Sequence, residues 1–130
     1  MSQTPADLLY SASHQWVALE RDGSVAVGIT DFAQEALGDI VFVEFPSLGK
    51  SVANDEACAI VESVKSASDV FAPVSGTIME INSALKASPE RINQAPYQAW
   101  LFKIKISDAK ELNALLSAAA YQTLTAEQSN

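Results

Sequence analysis

Residues 59–76 of the chain read Ala59-Ile60-Val61-Glu62-Ser63-Val64-Lys65-Ser66-Ala67-Ser68-Asp69-Val70-Phe71-Ala72-Pro73-Val74-Ser75-Gly76. Two apolar runs, 57–64 and 70–74, flank a short polar tip at 65–69. The runs are rich in β-branched residues and lack helical periodicity, so they predict two strands. The tip is small and polar, which is typical of a turn, and Pro73 and Gly76 are expected to end the return strand. The stretch therefore predicts a hairpin.

The predicted hairpin would hold the amine of Lys65 in water on a stiff base. Most exposed lysines serve solubility, and an ordinary surface lysine in a turn is the simplest reading. Lys65 differs because only small residues surround it, which suits an enzyme that grips the tip and acylates the amine. The sequence thus indicates a modification site as the sharper alternative.

The composition predicts one acidic domain. The chain has 130 residues, of which 48% are hydrophobic, and a formal net charge of −8. We expect a single domain over residues 1–130, with a core at about 8–125 and frayed ends. An acidic surface repels nucleic acid and anionic membranes and suits partners with basic docking faces. The same acidity could merely keep the protein in solution.

Candidate catalytic and metal-binding residues are few. Cys58 is the one cysteine and lies in an apolar run, so we expect an inert, buried thiol and no internal disulfide. His14 is the one histidine, and we interpret it as a capping or packing residue. No apolar run approaches the ~20 residues of a membrane span, and no leader is apparent. We therefore expect a cytoplasmic protein without catalytic activity of its own.

The rest of the chain reads as mainly β. Asp22-Gly23 predicts a hairpin, and residues 30–38 predict a short helix that Asp31 caps, with Gln34 completing a capping box and Gly38 ending it. Residues 39–45 predict a strand with Ile40, Phe42 and Glu44 on one face. Further strands are expected at 76–82 and from Trp100 to Ile106, with an irregular segment at 84–93 that contains one helical turn from Pro89. Two helices should follow, the first capped by Asp108 and Glu111, before a loose tail from Ala126.

Several segments resemble the glycine cleavage system H proteins. The most specific are residues 62–69, followed by Ala72-Pro73-Val74-Ser75-Gly76, which resemble the lipoyl-lysine hairpin of that family. Others are residues 28–31, 37–44 and 93–106. The resemblance implies a lipoyl/biotinyl-type flattened β-sandwich, the hybrid barrel-sandwich, with a short helix after the first strands and helices at the C-terminus.

The resemblance also implies that Lys65 carries lipoate through an amide bond. Biotin carriers usually flank their lysine with methionines, whereas Val64 and Ser66 occupy those places here, which favours lipoyl over biotin. Glu62, Ser63, Val64 and Ser66 would then be read by the lipoylating enzymes. For Glu62 the simpler alternative is a solvated acidic turn.

By the same resemblance, Gln15, Phe32 and Asp69 would line a cleft that shelters the loaded arm. Many family members have an acidic residue in place of Gln15 and a histidine in place of Phe32. We expect Gln15 to offer a hydrogen bond and Phe32 a cation–π face in their stead.

The function implied is that of a carrier. It would move the aminomethyl group of glycine between glycine decarboxylase (P protein), aminomethyltransferase (T protein) and dihydrolipoyl dehydrogenase (L protein), and would itself be a monomer. Two alternatives stay open: a carrier of another cofactor or lipoyl relay to other complexes, and an unmodified β-sandwich interaction module. An independent enzyme would be a third alternative, but the sequence offers no catalytic cluster.

Overall fold

The computed structural model describes residues 3–128. Its elements, in chain order, are β1 (Leu9–Tyr10), β2 (Gln15–Leu19), β3 (Val25–Ile29), α1 (Asp31–Leu37), β4 (Ile40–Glu44), β5 (Ser51–Val52), β6 (Ala57–Ser63), β7 (Ala67–Phe71), β8 (Gly76–Ile81), α2 (Ala84–Ala87), α3 (Arg91–Gln94), β9 (Phe102–Ile106), a 3₁₀ helix (Ala109–Ala114) and α4 (Ala118–Gln128).

The strands form two antiparallel sheets. One has the order β1-β2-β3-β9-β8-β5, and the other, with three strands, has the order β4-β6-β7. A single buried cluster contains side chains of both sheets, among them Val27 and Ile104 from the first and Val43 and Val61 from the second. The apolar inner faces of two sheets exclude water most completely when they pack against each other. The predicted mainly-β sandwich is confirmed.

Helix α1 begins one residue earlier than predicted, because its N-cap is Thr30 and not Asp31. The side chain of Thr30 accepts the N–H of Ala33, so Thr30 is the N-cap and the prediction of Asp31 was wrong. Asp31 instead accepts a 2.7 Å hydrogen bond from the side-chain amide of Gln34, one turn later. Gly38 ends the helix with φ of 82°, a conformation that glycine adopts without strain, as predicted.

Strand β4 departs from the predicted alternation because it contains a β-bulge. The register to β6 shifts between Ile40 and Phe42, so Val41 is the extra residue. Ile40 and Val43 are both buried, whereas Val41 and Phe42 are each 53% exposed. The bulge therefore turns Phe42 outwards, and its predicted place beside Ile40 was wrong.

The C-terminal third is more ordered than predicted. The segment predicted to be irregular contains α2, which was not predicted, and most of α3, which lies where a helical turn from Pro89 was predicted. Strand β9 begins at Phe102, so Trp100 lies before the strand. The first C-terminal helix is a 3₁₀ helix that Asp108 caps. Glu111 does not complete a capping box, because its carboxylate accepts hydrogen bonds from the N–H and hydroxyl of Ser75.

Both ends of the described chain are attached to the body. Tyr10 donates a 2.6 Å hydrogen bond to the carbonyl of Pro5, and the N–H of Gln3 donates to Asp31 at 2.8 Å. Helix α4 continues through Gln128, so residues 126–128 are helical and the predicted loose tail was wrong there. Residues 1–2 and 129–130, also predicted to be frayed, lie outside the described residues.

A hydrogen-bonded triad attaches α4 to the first sheet. The hydroxyl of buried Tyr121 lies 2.7 Å from Oγ1 of Thr30 and 2.7 Å from Nδ1 of His14. Burial raises the pKa of Tyr121 to about 12, so its hydroxyl keeps its proton near neutral pH. Burial also lowers the pKa of His14, although a hydrogen bond to Gln128 opposes the effect. The predicted packing role of His14 agrees with these contacts.

The lowered pKa of His14 predicts a stability that falls in mild acid. The unfolded chain protonates His14 at a higher pH than the folded chain does, so the free energy of unfolding should decrease as the pH falls from about 7 to about 5. His14→Asn removes the titration and tolerates the positive φ of 75° at this position. Urea unfolding of this variant should depend less on pH over that range. An equal pH dependence in both proteins would contradict the prediction.

Candidate functional site

The tip of the β6–β7 hairpin presents Lys65 to solvent. The turn consists of Val64, Lys65 and Ser66, because β6 ends at Ser63 and β7 begins at Ala67. The predicted tip was too long, since Ser68 and Asp69 belong to β7. Lys65 is exposed, as predicted, and within residues 3–128 it forms no ion pair. The structure thus places a free primary amine on a tight turn between two paired strands.

The hydroxyl of Ser63 holds this turn together. It accepts the N–H of Lys65 and the N–H of Ser66, each at 3.1 Å, and donates to the carbonyl of Ser66 at 3.1 Å. The backbone N–H of Ser63 donates to the same carbonyl at 2.8 Å. Ser63 is itself buried, so an approaching protein would meet the turn that Ser63 shapes and not its hydroxyl. Glu62 is half-buried, and Val64 and Ser66 are exposed.

The turn is also attached to the end of α1. The N–H of Val64 donates to the carbonyl of Asp39 at 3.0 Å. One residue earlier, Gly38 lies beside the lysine stem, because a Cβ at Gly38 would be 3.4 Å from Cε of Lys65, an ordinary contact distance. The side chain of Asn93 fixes this junction by donating to the carbonyl of Gly38 and accepting the N–H of Ile40, both at 2.9 Å.

A cleft of about 210 Å³ runs between α1 and the β6–β7 hairpin. The structure brings the three cleft residues of the sequence analysis, Gln15, Phe32 and Asp69, to its lining. The rest of the lining is largely apolar and includes Ile29, Ala33, Leu37, Val61 and Val70. Leu37 directly precedes Gly38, so the cleft ends beside the stem of Lys65.

Gln15 lines the cleft with an amide whose oxygen is already occupied. Its side-chain oxygen accepts two 2.6 Å hydrogen bonds, from the hydroxyls of Ser11 and Ser13, and its amide nitrogen donates to the carbonyl of Ser13. A carbonyl oxygen has two lone pairs, so no acceptor remains for an amine in the cleft. Asp69 is the acidic residue of the described cleft lining and lies at its edge, on the edge strand β7.

Phe32 forms one wall of the cleft together with His14, which the sequence analysis did not assign to the cleft. The two rings stack with centroids 4.9 Å apart, so His14 covers one face of Phe32. His14 lines the cleft, and its backbone has a positive φ of 75°. That conformation is rare outside glycine and has no signature in the sequence around His14.

Other chemistry is sparse in the part of the chain that the structure describes. Cys58 is half-buried rather than buried, and desolvation raises the pKa of its thiol to about 12, so it is a poor nucleophile, as predicted. No cluster of three or more metal-ligating side chains occurs within residues 3–128. Among the same residues, no helix has the length and apolar character needed to cross a bilayer.

The site can be compared with known proteins. The family model of the glycine cleavage H-protein matches residues 8–128. The glycine cleavage system H protein of Halorhodospira halophila is 54% identical over 98% of this chain and 99% of its own length, and that of an Escherichia coli strain is 53% identical over 98% and 100%. A crystal structure of a glycine cleavage system H protein from Mycobacterium marinum, 41% identical, covers 94% of this chain and 98% of its own, with a TM-score of 0.85.

These matches extend over nearly the full length of both partners in each comparison, and they include the hairpin, the cleft and the C-terminal helices. The exposed lysine on a hydroxyl-braced turn and the adjoining apolar cleft lie within the matched residues. The chain therefore belongs to the glycine cleavage H-protein family.

Proposed function

We propose that this chain is the lipoyl-bearing H protein of a glycine cleavage system and that Lys65 carries the lipoate. The observation that carries the proposal is the exposed amine of Lys65 on a turn that Ser63 braces from inside. Such a turn gives an acylating enzyme access to the amine while keeping the pivot fixed. The full-length relationship to H proteins supplies the choice of cofactor and reaction.

Several residues fit a lipoyl group. Nζ of Lys65 would form an amide with the lipoate carboxyl, and the lysine stem passes beside Gly38 at contact distance. The cleft next to it has the apolar lining that a hydrocarbon chain requires. Lipoate bound there would supply a disulfide as the acceptor for the aminomethyl group of glycine.

The chain itself would position and protect the cargo on the arm, and its partner enzymes would carry out the chemistry. In this proposal the decarboxylase loads the arm, the aminomethyltransferase unloads it and dihydrolipoyl dehydrogenase reoxidises it. The turn fixes the pivot, so the end of the arm sweeps on the order of 10–15 Å. Tethering of this kind raises the local concentration of cargo at successive active sites.

Within the cleft we assign different roles to the three proposed docking residues. Asp69 would pair with the amine of the cargo, because it is the acidic residue at the edge of the cleft and has no ion pair within residues 3–128. Phe32 would offer the ring face that His14 leaves open. Gln15 would shape the wall, since its oxygen already accepts two hydroxyl hydrogens. A cytoplasmic location, a monomeric state and one domain over residues 1–130 stay predictions.

Lys65→Arg tests the attachment site. Arginine keeps the charge but cannot form the amide, so the variant expressed with a lipoylating system should lack the mass increase of the wild type and should not support glycine cleavage. Lys105→Arg, an exposed lysine on β9, is the matched control and should be modified at Lys65 as usual. Activity of Lys65→Arg equal to that of the wild type would favour an unmodified interaction module.

Ser63→Ala tests whether the turn must be preorganised for lipoylation. The substitution removes both hydrogen bonds that Ser63 accepts and the one its hydroxyl donates, each worth roughly 1 kcal/mol. We expect kcat/KM for lipoylation to fall about tenfold, which corresponds to about 1.4 kcal/mol. Ser66→Ala is the comparison, because within residues 3–128 its hydroxyl makes no hydrogen bond. A larger loss in Ser66→Ala would show that the enzyme reads hydroxyls directly.

Asp69→Asn tests the docking of the cargo. Loss of the carboxylate should weaken the docked state of the loaded arm by about 1 kcal/mol or more, and the purified loaded protein should release ammonia several-fold faster. Glu90→Gln removes an exposed carboxylate outside the cleft lining and should leave the rate unchanged. Equal release rates for Asp69→Asn and the wild type would remove Asp69 from the proposed cleft site.

A further inference from the structure

The three-stranded sheet has an outer face whose side chains point away from the core. Along β6 and into the turn, Cys58, Ile60, Glu62 and Val64 alternate with buried residues and so share this face. Cross-strand pairing adds Phe42, Glu44, Ala67 and Asp69, because Phe42 and Ala67 both pair with Glu62, while Glu44 and Asp69 both pair with Ile60. We call these residues, with the bulge residue Val41, the outer face.

Large apolar side chains on the outer face are exposed next to Lys65. Val64 is 68% exposed, and Val41 and Phe42 are 53% exposed each. Val64 adjoins Lys65 in the chain, and its N–H donates to the carbonyl of Asp39, the residue before β4. The side chains of Val41, Phe42 and Val64 therefore lie at the same end of the sheet. The bulge in β4 puts Phe42 there, and bulges commonly re-aim a side chain for use.

The charges around this apolar group have one sign apart from Lys65. Glu44, Glu62 and Asp69 lie on the outer face, and within residues 3–128 none of their carboxylates has an ion pair. Lys50 lies at the far end of the face, where it is paired with Glu56 at 3.5 Å. A complementary protein would therefore present an apolar contact bordered by lysine or arginine side chains.

The outer face also continues into a groove of about 290 Å³, whose lining includes Glu44, Cys58, Ile60 and Asp69. Asp69 lines both this groove and the arm cleft, because it lies on the edge strand β7. The face is thus continuous with the site of Lys65 at one end and with a concave surface at the other.

The distance between this face and the atom on which a partner acts decides which partner can dock here. An enzyme that acylates Lys65 has to bring its reactive carbon to Nζ, so its body must lie against the residues that flank the turn. A partner that acts on the end of the finished arm works on the order of 10–15 Å away and can leave this face uncovered. We propose that the outer face is the docking surface of the enzyme that lipoylates Lys65, with Phe42 as its apolar anchor and Glu44 as a charge partner; this rests on the proposed function.

The test measures lipoylation of the unmodified chain by a purified lipoate–protein ligase with ATP and lipoate, with the initial rate followed against chain concentration. Phe42→Ser should raise KM about tenfold, as loss of a central apolar anchor does, with kcat within about twofold. Glu44→Lys should also raise KM and should weaken its dependence on salt. Both side chains are exposed, and urea unfolding checks that the variants are folded.

Two controls match these substitutions elsewhere on the surface. Leu19→Ser removes an apolar side chain that is 64% exposed on β2, and Glu127→Lys makes the same charge reversal near the end of α4. Both should keep the wild-type KM. If the controls raise KM as much as the outer-face variants, or if the outer-face variants behave as the wild type, the docking surface is overturned.

The remaining outcomes separate the proposals. A wild-type chain that gains no lipoyl group at Lys65 would overturn the proposed function itself, whereas normal lipoylation of Phe42→Ser and Glu44→Lys would overturn only the docking surface. Sedimentation of the unmodified chain provides the second readout. A wild-type dimer that Phe42→Ser converts to a monomer would assign the face to a second copy of this chain and would overturn the assignment to the ligase.

Discussion

The hydroxyl of Ser63 accepts two backbone N–H groups and donates to one carbonyl across the turn that carries Lys65. A turn of three residues leaves its N–H groups without strand partners, and in many turns water satisfies them. Here a buried side chain does so, and the backbone of the turn loses freedom that solvent would have allowed. An arm attached to Lys65, as we propose, would therefore move about a fixed pivot.

The same turn is coupled to the cleft through a short chain of contacts. Val64 bonds to Asp39, and Asn93 bonds to both neighbours of Asp39, Gly38 and Ile40. Gly38 is also the C-cap of α1, whose Ala33 and Leu37 line the cleft. Movement of the turn would have to break hydrogen bonds at this junction, so the distance from the pivot to the cleft is set by the packing of α1.

Local rules predicted much of this arrangement because much of it is local. Strand propensity predicts the β6–β7 hairpin, turn composition predicts the exposure of Lys65, and capping preference predicts the glycine at the end of α1.

The outward direction of Phe42 could not be predicted in this way, because a bulge depends on the register with β6 and leaves no mark in the alternation of the sequence. The place of His14 in the cleft wall depends likewise on a positive φ and on Tyr121, 107 residues away. Gln15 lines the cleft of the structure, but its occupied oxygen could be seen only from its bonds to Ser11 and Ser13.

Because side chains alternate along a strand, the outer face and the cleft lie on opposite sides of β6, and both end near Lys65. Side chains at 60, 62 and 64 face outwards, whereas Val61 and Ser63 face inwards, where Val61 lines the cleft. Continuation of this alternation would direct Lys65 to the cleft side, and the closeness of its Cε to Gly38 agrees with that direction. An acylating enzyme on the outer face would thus reach over the turn to an amine that leans towards the cleft. In the proposed function, an arm joined to Lys65 would therefore start on the side of the cleft, and the outer face would stay clear of the path along which the arm swings.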